Sequence, residues 1–376
     1  MPVNHRRRIH ITAVASPAKS EIDMLTPGGV AGLIDLAQRG AGDRYRVTAS
    51  PRMLLAREVD AEGGRSDDAE RAREVRRLLA DDDVAAVVTL RGGAWFARIL
   101  DQIDFDVLAR RKTLLYLFGF SEMTPLIAIA GRYPKVVALY DLGPGFLYGG
   151  PKWYARRHAA ALGRHAKLPE DQHEGFAIGW ALAGFPGRFS EFFREVADVL
   201  DGKGSSRVPE GRLLSGRLPA SSRISITGGN LSVIVPLIGS RHRPAIDTRG
   251  KWLALEDVNE APDPLDRMMA ALKLAGLFDH VAGVILGDFH DKDVDLRDAA
   301  YRMLRYHLPA GRRVPVIRLD NFGHVWPLAP LPMHREVALR RSGGGKDRPR
   351  VWIDIPWARW AESPRPSADG EPAGVS

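Results

Sequence analysis

The sequence predicts an α/β protein in two units: an N-terminal parallel-sheet domain and, after a polar middle, a second mixed α/β domain. Three observations carry this expectation. Short, continuous, β-branched runs such as residues 84–90 (VAAVVTL) and 136–140 (VVALY) read as strands buried on both faces. Helix-period segments alternate with them, the pattern that builds parallel sheets. A Gly/Ser/Lys-rich stretch over residues 201–209 then precedes a second series of strands and is the best-placed domain connection.

The elements follow in order. Residues 9–16 read as the first strand. Residues 29–39 form an amphipathic helix closed by Gly40, and 45–49 a second strand. Residues 67–81 have helical spacing, with Ala72, Val75, Leu78 and Leu79 on one face. Strands follow at 84–90, 114–119 and 136–140. Residues 152–173 are rich in Ala, Arg and His and read as a polar helix, and 190–200 (SEFFREVADVL) as an amphipathic one. Strands return at 223–227, running into Gly228-Gly229-Asn230, and at 251–255. The helix 264–274 (PLDRMMAALKL) is closed by Gly276. Strands at 281–286 and 313–319 come next, the latter leading into Asn321-Phe-Gly-His324. Residues 336–339 and 350–355 read as closing strands. The tail beyond residue 360 has a disordered composition. The expected division is 1–150, a 151–220 helical insertion and linker, 221–360, and a 361–376 tail. There is no internal repeat.

Composition removes several classes of function. The 376 residues include no cysteine, which excludes a thiolate nucleophile, cysteine-based zinc sites and disulfides. The basic N-terminus, MPVNHRRR, is followed by only a strand's length of apolar residues, short of a secretory core of ~7–15. No run approaches the ~18 apolar residues of a membrane span. The expected location is the cytoplasm. Net charge is +8, but the arginines are dispersed among acids, without the basic stripe and interleaved aromatics of a nucleic-acid surface. An anionic small substrate suits that charge.

Four segments can carry chemistry. In Leu117-Phe-Gly-Phe-Ser121-Glu122-Met-Thr124, a buried strand turns sharply into a helix-like segment and projects a serine. That is the logic of a nucleophile elbow, although G-x-S-x-G is absent and an ordinary helix N-cap also fits. Arg91-Gly92-Gly93 follows a strand end, where paired glycines let backbone N–H groups approach a ligand or simply make a tight turn. Glu256, Asp257 and Glu260 follow another strand, where a carboxylate can orient a histidine or cap a helix. His324 lies on a loop after a strand, the place for a general base or for a surface residue. His290, Asp291 and Asp293 lie close together, but without an established metal spacing, and no metal or cofactor is expected.

These segments occur in an informative order. RGGAWFARILDQID, GFSEMTPL, LGPGF, ITGGNLSVI, LALEDVNEAPDPLDRMMAALKLAGLF, VAGVILGDF and NFGHVWPLAPLP together resemble the LD-carboxypeptidase family of serine peptidases, which includes the microcin-immunity peptidases. The resemblance runs from about residue 9 to 355. It implies a glutamine-amidotransferase-like N-terminal domain, a swivelling-type C-terminal domain, and usually a homodimer. It further implies a triad of Ser121, His324 and Glu256, an oxyanion hole from the backbone N–H groups of Gly93 and Glu122, and substrate contacts at Arg91, Gly92 and Asn230. The implied reaction is removal of the terminal D-Ala from a murein tetrapeptide in cell-wall recycling. Cleavage of another amide, such as a microcin-like peptidyl-nucleotide, and binding of a peptide without cleavage are the alternatives. Three features depart from the family: Glu122 stands where Asp is usual, Leu142-Gly143-Pro144 where His-Gly-Pro is usual, and residues 151–187 look like an insertion.

Overall fold

A computed structural model describes residues 6–19, 22, 26, 28–56, 67–141, 187–292, 294–325, 328–342 and 349–361. The expected polar helix at 152–173, Leu142-Gly143-Pro144, Asp293 and the tail lie outside the described residues.

The first sheet contains β1 (Arg8–Thr12), β2 (Arg46–Ala49), β3 (Val84–Thr89), β4 (Leu115–Gly119) and β5 (Val136–Tyr140). These strands run parallel in the order β5-β4-β3-β1-β2. The β-branched runs are buried throughout, as a sheet covered on both faces requires. On one face lie helices Gly29–Ala41 and Gly187–Leu200, whose apolar stripes pack on each other and on the strands. The first of these helices continues through Gly40. A Cβ there would fall 2.0 Å from the Ser190 carbonyl oxygen, so Gly40 serves close helix packing, while Gly42 supplies the left-handed turn at φ 61°. Helix Asp68–Ala80 covers the other face with the four expected apolar residues and, in addition, a fully buried Arg71.

The second unit contains β6 (Glu210–Ser215), β7 (Ser221–Asn230), β8 (Trp252–Val258), β9 (Gly283–Asp291), β10 (Val294–Asp295), β11 (Val316–Leu319), β13 (Glu336–Arg341) and β14 (Arg350–Asp354). Their order is β10-β9-β11-β6-β14-β13-β7-β8, and β8 pairs back onto β9, so the ladder closes on itself. Closure satisfies strand edges that would otherwise be open. β7, β8, β9 and β11 are mutually parallel where they pair, and the remaining pairings are antiparallel. Helix Pro262–Leu274 and helix Arg297–His307 pack together outside this barrel.

One strand crosses between the units. β12 (Leu331–Met333), which follows the His324 loop, pairs antiparallel with β5 and becomes the outer strand of the first sheet. Proline is confined to such edge positions because it donates no ladder bond, and β12 contains Pro332. The short helix Thr124–Ala130 packs against β7. The carboxyl ends of both parallel strand sets therefore meet at one junction, the edge at which α/β sheets present ligands. Among the described residues, no helix is long and apolar enough to cross a membrane.

Candidate active site

Ser121 leaves β4 through a 3₁₀ turn, Ser121–Met123, that feeds helix Thr124–Ala130. Its φ is 55°. A non-glycine residue held in the left-handed region costs about 1–3 kcal/mol. An ordinary N-cap has extended dihedrals instead, so the geometry departs from the capping alternative. Local bonds hold the strain. The Ser121 N–H donates to Tyr140 Oη at 2.9 Å, and Thr124 Oγ1 donates to the Ser121 carbonyl at 2.6 Å.

The loop after β3 runs against this serine. A Cβ on Gly92 would lie 2.8 Å from Ser121 Cβ and 3.3 Å from its Oγ, so glycine is required for the approach. Ser16 ties the loop from the β1 side: its N–H donates to the Gly92 carbonyl at 3.0 Å, and its Oγ accepts from the Ala94 N–H at 3.2 Å. Gly93 follows at φ 100°. The Arg91 guanidinium donates to the Pro17 carbonyl at 3.0 Å.

Glu122 turns away from the serine. Its Oε1 accepts the N–H groups of Phe96 at 2.7 Å and Ala97 at 3.3 Å, clasping the far end of the same loop. Burial raises its pKa, opposed by those two backbone bonds and by Arg71. Arg71 donates to the carbonyls of Val14 at 2.8 Å and Trp95 at 3.1 Å, and is paired with Asp67 and Asp68. The longer acid at this departure from the family thus binds the protein's own backbone.

The second unit brings the carboxylate and the histidine. β8 extends past the expected end at residue 255, and its register against β9 shifts between Leu255 and Asp257. Glu256 sits at this irregularity, a device that re-aims side chains. Its carboxylate is fully buried and fully used. Oε2 bonds His324 Nδ1 at 2.8 Å, while Oε1 accepts from Tyr140 Oη at 2.5 Å and from Asn230 Nδ2 at 3.1 Å. Burial would raise the Glu256 pKa. The charge of His324 and the bonds from His324, Tyr140 and Asn230 outweigh it and hold the pKa below the usual range. For His324, burial would favour the neutral ring, but Glu256 overrides it and raises the pKa. The histidine ring also packs edge-on to Phe120, the neighbour of Ser121, with centroids 5.5 Å apart.

Asn230, expected at the substrate, is buried. It gives its amide to Glu256, caps the following turn by accepting from Val233 N–H at 3.2 Å, and joins the units through its own N–H to Thr124 Oγ1 at 3.1 Å. Asp257, next to Glu256, accepts from the N–H groups of Ser232 at 2.6 Å and Val258 at 2.8 Å. Burial, reinforced by the Glu256 charge, pushes its pKa up to about 7. Glu260 lies beyond the strand on a partly exposed loop. In the His290 segment, Nδ1 of that buried ring bonds Asp288 Oδ2 at 2.7 Å. No group of three metal-ligating side chains is found among the described residues.

Sequence reasoning singled out Ser121, Glu256 and His324, of which Glu256 and His324 are hydrogen-bonded to each other, but not Tyr140, Arg71 or the clasp made by Glu122. Arg71 had a signal, because it falls on the apolar stripe of its helix, three residues after Asp68 and four before Val75. Tyr140 had none, since a tyrosine closing an apolar strand reads as core.

Models of known families match both units. The LD-carboxypeptidase N-terminal domain matches residues 9–140 and the C-terminal domain residues 225–339. The probable murein peptide carboxypeptidase of Bacillus subtilis is 25% identical over 279 residues, covering 73% of this chain and 75% of that protein. Among solved structures, MccF in complex with glutamyl sulfamoyl guanosine superposes with a TM-score of 0.60 at 16% identity, covering 94% of this chain and 97% of that one. The muramoyltetrapeptide carboxypeptidase of Oxalobacter formigenes superposes with a TM-score of 0.57 at 21% identity, covering 93% and 99%. At these identities the superpositions speak for the fold. With both family domains matched in order over most of its length, the chain belongs to the LD-carboxypeptidase family of peptidases.

Proposed function

We propose that the protein is a serine-type LD-carboxypeptidase that removes the terminal D-Ala of a murein tetrapeptide, with Ser121 as nucleophile, His324 as general base and Glu256 as its orienting carboxylate. The observation that carries this reading is the buried 2.8 Å bond from Glu256 to His324 Nδ1, with the His324 ring packed edge-on against Phe120, the residue before the strained Ser121. Glu256 fixes the tautomer of the imidazole, which leaves Nε2 as the nitrogen to serve the serine. His324 takes the Ser121 proton as Oγ attacks the carbonyl carbon, and returns it to the departing D-Ala amine. Glu256 stabilises the imidazolium in between. Water then attacks the acyl-enzyme by the same base and frees the enzyme.

The Ser121 N–H is engaged by Tyr140, so the developing oxyanion needs other donors. The Gly93 and Glu122 N–H groups are the candidates, on the loop beside the serine and on the residue after it. The Glu122 clasp, Arg71 and Ser16 keep that loop in place. The net charge of +8 suits an anionic muropeptide. The reading includes action in the cytoplasm, which cell fractionation tests, as a homodimer, which sedimentation of the purified chain tests.

The test is a substrate panel. Wild-type protein is expected to release D-Ala from murein tetrapeptide, and Ser121→Ala to stop release while thermal unfolding stays cooperative. A folded Ser121→Ala variant that still releases D-Ala would refute the mechanism. Hydrolysis of a peptidyl-adenylate with tetrapeptide left intact would refute the substrate.

A further inference from the structure

Tyr140 occupies a position that the triad does not account for. It closes β5 in the first sheet, and its side chain is fully buried. Its ring is wedged between Phe322, at 5.3 Å and an interplanar angle of 63°, and the backbone of β7 at Gly229. A Cβ on Gly229 would fall 3.0 Å from the Tyr140 ring and 2.7 Å from Thr124, so this close seat needs glycine there. The phenol then has one proton and, besides the Thr124 side chain, which also hydrogen-bonds to it, two partners that tie it to the site. It donates to Glu256 Oε1 at 2.5 Å and accepts from the Ser121 N–H at 2.9 Å. Burial first, and then the charge of Glu256, drive its pKa well above the ordinary phenol value, so the hydroxyl stays protonated and its donor role is fixed.

We infer that Tyr140 is a positioning residue that couples the nucleophile to the orienting carboxylate across the junction of the two units. This rests on the assignment of Ser121, His324 and Glu256 made above. Two effects follow from one hydroxyl. By accepting the Ser121 N–H, it holds the peptide of a residue at φ 55° that would otherwise relax toward a lower-energy conformation. By donating to Oε1, it withdraws negative charge from the carboxylate whose other oxygen faces His324. A carboxylate that is donated to less holds a protonated imidazole more firmly. The other groups bearing on this carboxylate and ring are Asn230, which donates to the same Oε1, and Asp257 and Asp288, whose charges also favour protonated His324. Tyr140 and Asn230 therefore act against the acids. They keep the base from becoming so basic that it is already protonated when the serine must be activated.

The experiment compares wild type, Tyr140→Phe and a protein with 3-fluorotyrosine at position 140, using D-Ala release from murein tetrapeptide across pH. Tyr140→Phe is expected to lower kcat by about 10–100-fold with KM changed less than about threefold, as loss of a bond to a charged group predicts. Its acid limb of kcat should move to higher pH. The fluorinated ring is a stronger donor of the same shape, so its acid limb should move to lower pH. A residue that only fills space gives no such opposed pair of shifts. Wild-type kcat together with an unmoved acid limb in Tyr140→Phe would overturn the inference, as would shifts of the same sign in both variants. If Tyr140→Phe does not fold, the fluorotyrosine shift alone decides. Ser121→Ala is run beside them. Activity surviving in that variant fails the assignment of the nucleophile, whereas activity lost there with a wild-type pH profile in both Tyr140 proteins fails the coupling role alone.

Discussion

Beside the first sheet, a serine, a histidine and a glutamate hydrogen-bond to one another, and the contrast with Ser121, His324 and Glu256 is instructive. On β1 and just beyond β2, His10 Nε2 meets Ser50 Oγ at 2.8 Å and Glu74 Oε1 at 3.2 Å, while His10 Nδ1 meets Thr48 Oγ1 at 2.8 Å. Ser50 Oγ also donates directly to Glu74. The residue types are the same and the wiring is not. Here the carboxylate and the serine share one ring nitrogen, and the serine's proton already has an acceptor. At the junction, the carboxylate occupies Nδ1, on the far side of the ring from the nitrogen that would serve the serine. The backbones differ as well. Ser50 has φ −105° and starts a short helix without strain, whereas Ser121 is held at φ 55°. The carboxylates differ in company. Burial would raise the Glu74 pKa, but bonds from His10, Ser50 and Arg77 bring it to about 2, which is a structural anchor. The same residue types thus occur with different connectivity and different backbone strain.

The contrast can be broken in three ways. The largest effect concerns the serines. Ser121→Ala should lower kcat by roughly a thousandfold or more, whereas Ser50→Ala, which loses its hydrogen bonds to Glu74 and His10, should leave kcat within about twofold and cost about 1 kcal/mol of stability, read from D-Ala release and urea unfolding. Comparable losses of kcat in both would dissolve the distinction. Next is the Glu122 clasp. Glu122→Ala should lower kcat by about tenfold or more, because the loop carrying Gly93 loses its anchor, and Glu122→Gln should recover part of it, since an amide oxygen still accepts the Phe96 N–H. An alanine variant with wild-type kcat would detach that loop from catalysis. The smallest effect is on pH. The His324 pKa is raised, so the neutral base appears only as pH climbs above the ordinary histidine value of 6.5, and kcat should rise through that region. Glu256→Gln removes the carboxylate that raises it, so the surviving activity should reach its plateau at lower pH. A limb that stays put would show that Glu256 does not set it.

Much of this was legible in the sequence, for a physical reason. β3, β4 and β5 are buried on both faces, so burial is written into them as continuous apolar runs. Ser121, Glu256 and His324 each lie at or after such a run, but each position alone also fits a cap or a surface residue, and only the order of the surrounding motifs singled them out. The barrel strands were harder. β6 reads EGRLLS, charged at its start and only partly buried, and β12 is three residues long with a proline. Their strand character comes from partners distant in the chain. Tyr140 and the Glu122 carboxylate were hidden for a related reason. Their roles are hydrogen bonds across the fold, and no local pattern records them.

β12 has a consequence for how the molecule can be taken apart. The segment carrying His324 leaves the barrel from β11 and is woven into the other sheet as soon as it has passed the site. It works as a strap with a fixed end in each unit. An N-terminal fragment ending near residue 220 would keep its core strands but leave the edge of β5 open along Ala138–Tyr140, a template for stray pairing. A C-terminal fragment would carry Leu331–Met333 with nothing to pair against. The two units are distinct in architecture yet are not separable goods: the histidine is delivered by the same stretch of chain that seals the neighbouring sheet.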